Sequence, residues 1–276
     1  MSVKQQAEML VTDYLLTDSF LPYTSIFAGI VMSKMAYDVT RSISFHYFKG
    51  FTSLTKIQQI EWNNRGMSTI HAIYITIMSI YLVFFSDLYT KYDQHQQALL
   101  FTLRSSPLST FTLGVSVGYF IIDLSMIYWS YPSLGGMQFV LHHLLSLFAI
   151  AYSVFSSEGQ FYTYMVLISE ATTPGVNLRW FLDTIGLKTS NAYIINGAVM
   201  FFAWLIARIL LFGYLFYHVS QHYAQIVEMH IIGYILVFGV PSVLATMNII
   251  WFGKILKGLK KQLCNQKANR RGESIV

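Results

Sequence analysis

His142 and His143 stand side by side in the apolar run from Phe139 to Phe155, in which no other side chain titrates near neutral pH. A neutral imidazole, with a reference pKa of about 6.5, can serve as general base or nucleophile. Hydrocarbon tolerates such groups poorly, so they usually face a bundle interior or a cavity. Neighbours on a helix point about 100° apart, which predicts that one of the two faces a cavity. The plainer reading is an interhelical hydrogen bond that fixes packing, at about 1 kcal/mol. Asp123 and Glu170 are the carboxylates in apolar surroundings that could orient an imidazole. Each could equally be the structural partner of Arg208 or of a histidine. His71, Asn177, Asn196 and Asn248 are the remaining polar candidates, as pocket lining or as hydrogen-bonding glue between helices. Adjacent histidines rarely converge on one ion, so no metal site is read, and a single cysteine, Cys264, excludes a disulfide framework.

These residues need an apolar scaffold, and the chain supplies one. Of 276 residues 54% are hydrophobic and 11% charged, against roughly 25% charged in soluble domains. Seven apolar runs approach the length of a bilayer crossing, at 20–40, 66–86, 111–131, 139–157, 161–181, 193–217 and 231–252. The expectation is an all-α integral membrane protein of about seven helices. The first run carries Lys34 and Asp38, four apart and able to pair along one helix face, and the fifth carries Glu170, Pro174 and Asn177. Kinks are expected at Pro174 and Pro241. The stretch before residue 20 lacks the basic-then-apolar order of a signal peptide.

Charge sets the orientation. After Phe252 come Lys254, Lys257, Lys260, Lys261, Lys267, Arg270 and Arg271 against the single acid Glu273. Positive residues favour the cytosolic side, so this tail is expected there, with 41–65 as a cytosolic loop. His71, Asp123, His142, His143, Asn177, Asn196 and Asn248 then fall within about two turns of that face, and Glu170 near mid-membrane. A polar cavity open to the cytosol is predicted, with Arg208 as an outlier in the far half. Lys254, Lys257, Lys260 and Lys261 are read as membrane-surface residues contacting anionic lipid, at about 1 kcal/mol per charge. That tail accounts for the net +5, so no nucleic-acid partner is read. Arg179, Trp180 and Phe181 fit an interfacial anchor.

The segment Lys56–Arg65, then His71, Asp123, His142–His143, Ser169–Pro174, Asn177–Phe181 and Ile195–Gly197 resembles the TLC-domain family, which includes ceramide synthases and translocating-chain-associated membrane proteins. It is most similar to the branch of TLC domain-containing protein 4. The resemblance implies an N-terminal tail and first helix over 1–50, a six-helix TLC domain over 51–255 and a basic tail over 256–276. It also implies residence in the endoplasmic reticulum, membrane lipids and a second copy of the chain as partners, and a role in lipid homeostasis. In ceramide synthases the histidine pair serves acyl transfer from acyl-CoA, with no bound cofactor; the counterparts here are His142 and His143. Those enzymes carry two acids on the next helix, whereas Glu170 is the one matching acid in this chain. Acyl transfer to another acceptor and a non-enzymatic, lipid-binding regulator both remain open.

Overall fold

The computed structural model describes residue 17 and residues 19–89 and 100–270. The N-terminal stretch read for a signal peptide, up to residue 16, lies outside the described residues, as do Arg271 and Glu273 of the tail. Among the described residues the chain is helical without a strand. The helices are α1 Leu21–Tyr47, α2 Lys56–Ile80 with a π turn at Tyr81–Phe85, α3 Pro107–Trp129 and α4 Met137–Ser156. There follow α5 Gln160–Leu167, a 3-10 stretch Ile168–Thr172, and α6 Thr173–Thr184. Then come α7 Asn191–Trp204, a π turn Leu205–Leu210, α8 Leu211–Gln221, the short α9 Tyr223–Ile226 and α10 Ile231–Arg270.

Among the described residues five helical stretches are long and apolar enough to cross a membrane: Lys56–Phe85, Pro107–Trp129, Met137–Ser156, Asn191–Gln221 and Ile231–Lys261. The protein is an integral membrane protein. Two of the seven expected runs do not give such a helix among the described residues, for two physical reasons. The α1 helix is long enough but carries Lys34, Asp38 and Arg41, with Lys34 and Asp38 forming the expected i,i+4 ion pair. The fifth run changes to 3-10 geometry at Ile168–Thr172, so α5 and α6 are each short. Pro174 sits in the first turn of α6, where its missing N–H costs nothing. Pro241 lies inside the continuous α10.

The predicted loop 41–65 is mostly helix, because α1 runs on to Tyr47 and α2 starts at Lys56. Thr55 caps α2: its hydroxyl accepts the Gln58 N–H (3.3 Å) while Gln58 Oε1 accepts the Thr55 N–H (3.0 Å). The reciprocal pair satisfies two otherwise unmet donors and places Glu61, Asn64 and Arg65 on a helix. Thr55→Ala should cost about 1 kcal/mol and Thr55→Ser much less; thermal unfolding in detergent reads the difference. The expected tail over 256–276 is likewise helical as far as Arg270.

The two ends of the bundle differ. One is an apolar core where Ile75 of α2, Leu82 of the following π turn, Leu113 and Val117 of α3, Val154 of α4, Met165 of α5, Leu215 of α8 and Val237 of α10 are buried together. The other, where α3 ends and where α2, α4 and α7 begin, holds the polar residues.

Candidate functional site

A cavity of about 300 Å³ opens at that polar end. Its walls come from α2, α3, α4, α6, α7 and α10, with Glu170 contributed by the 3-10 stretch. One part is polar: Glu61, Asn64, Arg65, Asp123, His142, His143, Glu170, Asn177 and Arg208. An apolar part is formed by Phe120, Ile127, Leu134, Phe139, Val176, Met200, Trp204 and Trp251. Lys254 and Phe139 are exposed and lie at the mouth.

Both histidines line this cavity, which corrects the expectation that only one would. The two rings lie 5.5 Å apart at 69°, so one imidazole edge leans toward the other rather than pointing away from it. His143 Nδ1 is 2.8 Å from Asp123 Oδ2, with the ring turned out of line for a straight N–H···O bond. Asp123 is buried. A carboxylate against Nδ1 favours the proton there and leaves Nε2 as the basic nitrogen, the arrangement of a general base. His142 packs against Trp251, ring centroids 5.6 Å apart. Its Nδ1 is buried with no hydrogen-bond partner among the described residues.

Among the described residues Glu170 makes no hydrogen bond to a histidine. Its Oε2 accepts from Thr173 Oγ1 at 2.7 Å, and its Oε1 lies 3.7 Å from Arg208 Nη2. Arg208 is buried, donating through Nε to Thr172 Oγ1 (2.7 Å) and through Nη1 to Asn248 Oδ1 (3.2 Å), with its guanidinium 4.6 Å from the Trp204 ring centroid. The π turn Leu205–Leu210 carries Arg208 into the bundle, and such turns recur at functional sites. Arg208 is therefore part of the polar cavity rather than an outlier.

Asn177 binds α6 to α2. Its Nδ2 donates to Arg65 O (3.1 Å) and Thr69 Oγ1 (3.0 Å), while its Oδ1 accepts from Arg65 Nη1 (3.1 Å). Arg65 also pairs with Glu61 through two nitrogens, at 2.9 and 2.7 Å. Asn248 backs the cavity behind Arg208, with its Nδ2 unpartnered among the described residues. Like Asn248, two further candidates are off the wall. His71 lies behind Tyr119, stacked at 3.7 Å with Nε2 3.2 Å from Ser116 Oγ. Asn196 donates to Gly175 O at 2.9 Å and joins α7 to α6. Lys254, Lys257, Lys260 and Lys261 are exposed along α10. The anchor expected at 179–181 is divided: Arg179 stacks on Tyr193 at 4.1 Å, whereas Trp180 and Phe181 pack inward on Trp62. Glu61, Asn64 and Arg65 entered the sequence reading only within the resemblance segment Lys56–Arg65 and not as site residues, and Trp204 and Trp251 were not selected; the capping-box spacing Thr55–Gln58 was the signal that puts the first three on a helix.

The TLC-domain profile matches residues 61–257, a stretch that contains every residue of the cavity wall. The chain belongs to the TLC-domain family. Its relatives include TLC domain-containing protein 4-B of Xenopus laevis, 30% identical over 217 residues, covering 78% of this chain and 80% of the relative. TLC domain-containing protein 4 of Homo sapiens is 28% identical over 246 residues, covering 87% and 89%. TLC domain-containing protein 4 A of Dictyostelium discoideum is 24% identical over 219 residues, covering 78% and 81%. No solved structure matches the chain. The TLC domain here thus takes in α3 to α9 and most of α2 and α10, and α1 lies outside the matched residues.

Proposed function

We propose that this TLC-domain protein binds an acyl lipid in the cavity and acts in lipid homeostasis in the endoplasmic reticulum, with its C-terminus in the cytosol. The observation that carries the reading is the convergence of the His143–Asp123 pair and the buried Arg208 on a cavity that also has an extensive apolar wall, including Phe120, Ile127, Leu134, Met200 and Trp204. Such a cavity suits a ligand with a polar head and a hydrocarbon chain. The same pair supports fatty-acyl transfer from acyl-CoA. His143 Nε2 would take the proton of the acceptor nucleophile as it attacks the thioester carbonyl, the new acyl bond would form, and coenzyme A would leave as the thiol.

A second reading, a non-enzymatic lipid-binding regulator, draws on Glu170. That carboxylate is engaged by Thr173 and Arg208, so Asp123 is the acid left to assist the histidines. An untargeted lipid comparison separates the two, using cells that lack the protein and re-express either the intact chain or the His142→Ala, His143→Ala double variant at matched levels. Acyl transfer requires that the intact chain alone restore the shifted lipid class, with Asp123→Asn restoring it in part. Equal restoration by the double variant would remove the enzymatic reading and leave the regulator.

A further inference from the structure

Beside the main cavity, a second opening of about 200 Å³ lies between α6, α7 and α10. Met200, Lys254 and Ile255 line both spaces, so they adjoin. Gly197 and Gly258 border the opening from opposite helices. Nothing lies within 4 Å of where a Gly258 Cβ would stand, so this side of α10 faces open space. The floor is apolar, with Leu259 beside Met200 and Ile255, and its charged side chains are Arg179 and Lys254.

Those two cations differ from others nearby. Arg65 is paired with Glu61, Arg208 has Glu170 at 3.7 Å, and Lys188 has Asp183 at 3.0 Å. Among the described residues neither Arg179 nor Lys254 has a carboxylate at ion-pair distance. Arg179 is held in place over the Tyr193 ring. The notch thus has an excess of positive charge above an apolar floor. The helices around it expose Val199 and Leu256, as a hydrocarbon-facing surface does.

We propose that this notch is a lateral entry for a membrane lipid with a phosphate monoester headgroup, the phosphate held between Arg179 and Lys254 and the chain passing Met200 into the main cavity. The inference rests on the lipid-binding reading above and names the ligand's headgroup. Two cations match the charge of a monoester, which is close to −2 at neutral pH, and arginine adds a planar donor fork suited to phosphate. The exposed hydrocarbon surface on either side favours a ligand arriving from the bilayer over one arriving from water.

The test uses the full-length protein in phosphatidylcholine nanodiscs doped with a diazirine-bearing phosphatidic acid. Irradiation should label peptides containing Met200 and Ile255, and excess phosphatidic acid should compete while diacylglycerol does not. Labelling should fall roughly tenfold or more in Arg179→Gln, Lys254→Gln, from about 1 kcal/mol or more per charge, and persist in Arg179→Lys, Lys254→Arg. Both positions border open space, and unchanged thermal unfolding of the variants confirms that they fold. Undiminished labelling in the glutamine variant overturns the proposal. So does equal competition by diacylglycerol, which would make the notch a plain apolar groove, or displacement by coenzyme A, which would assign it to a soluble phosphate ester. Labelling reads occupancy and not turnover, so its failure is distinct from failure of the histidine variants to alter cellular lipids.

Discussion

Arg208→Leu should destabilise the folded bundle by about 3–5 kcal/mol, the cost of removing one partner from a buried charge pair. The guanidinium is 5% exposed and holds three groups together: Thr172 Oγ1 at 2.7 Å, Asn248 Oδ1 at 3.2 Å and Glu170 Oε1 at 3.7 Å. Leucine would leave Glu170 with one donor, Thr173, and Asn248 without its partner, while its own Nδ2 already has none among the described residues. Thermal unfolding in detergent should register a fall on the order of 10 °C. Adding Glu170→Gln to Arg208→Leu should recover much of the loss, because the uncompensated negative charge is then gone. Arg208→Lys should fall between, since an ammonium keeps the charge without the fork that reaches Thr172 and Asn248 at once. A neutral result for Arg208→Leu would mean that water in the cavity solvates Glu170 well enough to replace the arginine. Failure of the double variant to recover would mean that the hydrogen bonds of Arg208, not its charge, hold the site.

The legible part of this site is the part written as charge in apolar surroundings. Asp123, His142, His143 and Glu170 stand out in apolar or nearly apolar runs, and the cavity brings all of them together. Periodicity misled in one respect: with side chains 100° apart only one histidine was expected on the wall, yet the cavity is wide enough to meet α4 over both. Arg208 was read as an outlier because depth was counted from its backbone position alone, whereas its long side chain, on the π turn Leu205–Leu210, reaches Thr172, Asn248 and Glu170. Glu61, Asn64 and Arg65 fell in the expected loop 41–65 because they precede the apolar run 66–86, yet α2 starts at Lys56 and presents them to the cavity. The division of the fifth run at Ile168–Thr172 was equally hidden, although Pro174 marked its neighbourhood. Charge patterning finds buried functional groups, but it counts neither crossings nor irregular turns, because both depend on what the neighbouring helices supply.

Gly118→Leu should separate α1 from the rest of the bundle. The two helices meet through small residues: Ser25, Gly29 and Ser33 are among the buried residues of α1, and Gly114 and Gly118 of α3 are buried as well, Gly114 against Ser25 and Gly118 against Gly29. A Cβ at Gly118 would stand 2.6 Å from the Ile30 nitrogen and 2.8 Å from the Gly29 carbonyl carbon, and one at Gly29 would stand 2.8 Å from Val115 Cα. The obstacles are backbone atoms, which cannot rotate aside, so the helices must move apart and lose the close packing that drives association in lipid. The expected cost is roughly 1–3 kcal/mol or more, against a helix-propensity gain of about 1 kcal/mol from replacing glycine. Gly239→Leu is the control, because nothing lies within 4 Å of its Cβ position and only the propensity gain applies. Protease cleavage in the 48–55 connection of membrane-embedded protein should rise in Gly118→Leu and stay unchanged in Gly239→Leu; equal behaviour of the two would show that α1 is not held by this contact. The consequence reaches the site, since Asp123 follows Gly118 on α3 by little more than one turn. If α1 steadies α3, Gly118→Leu should also weaken the pairing of Asp123 with His143, and an Asp123→Asn change should then add less to the defect than it does in the intact protein.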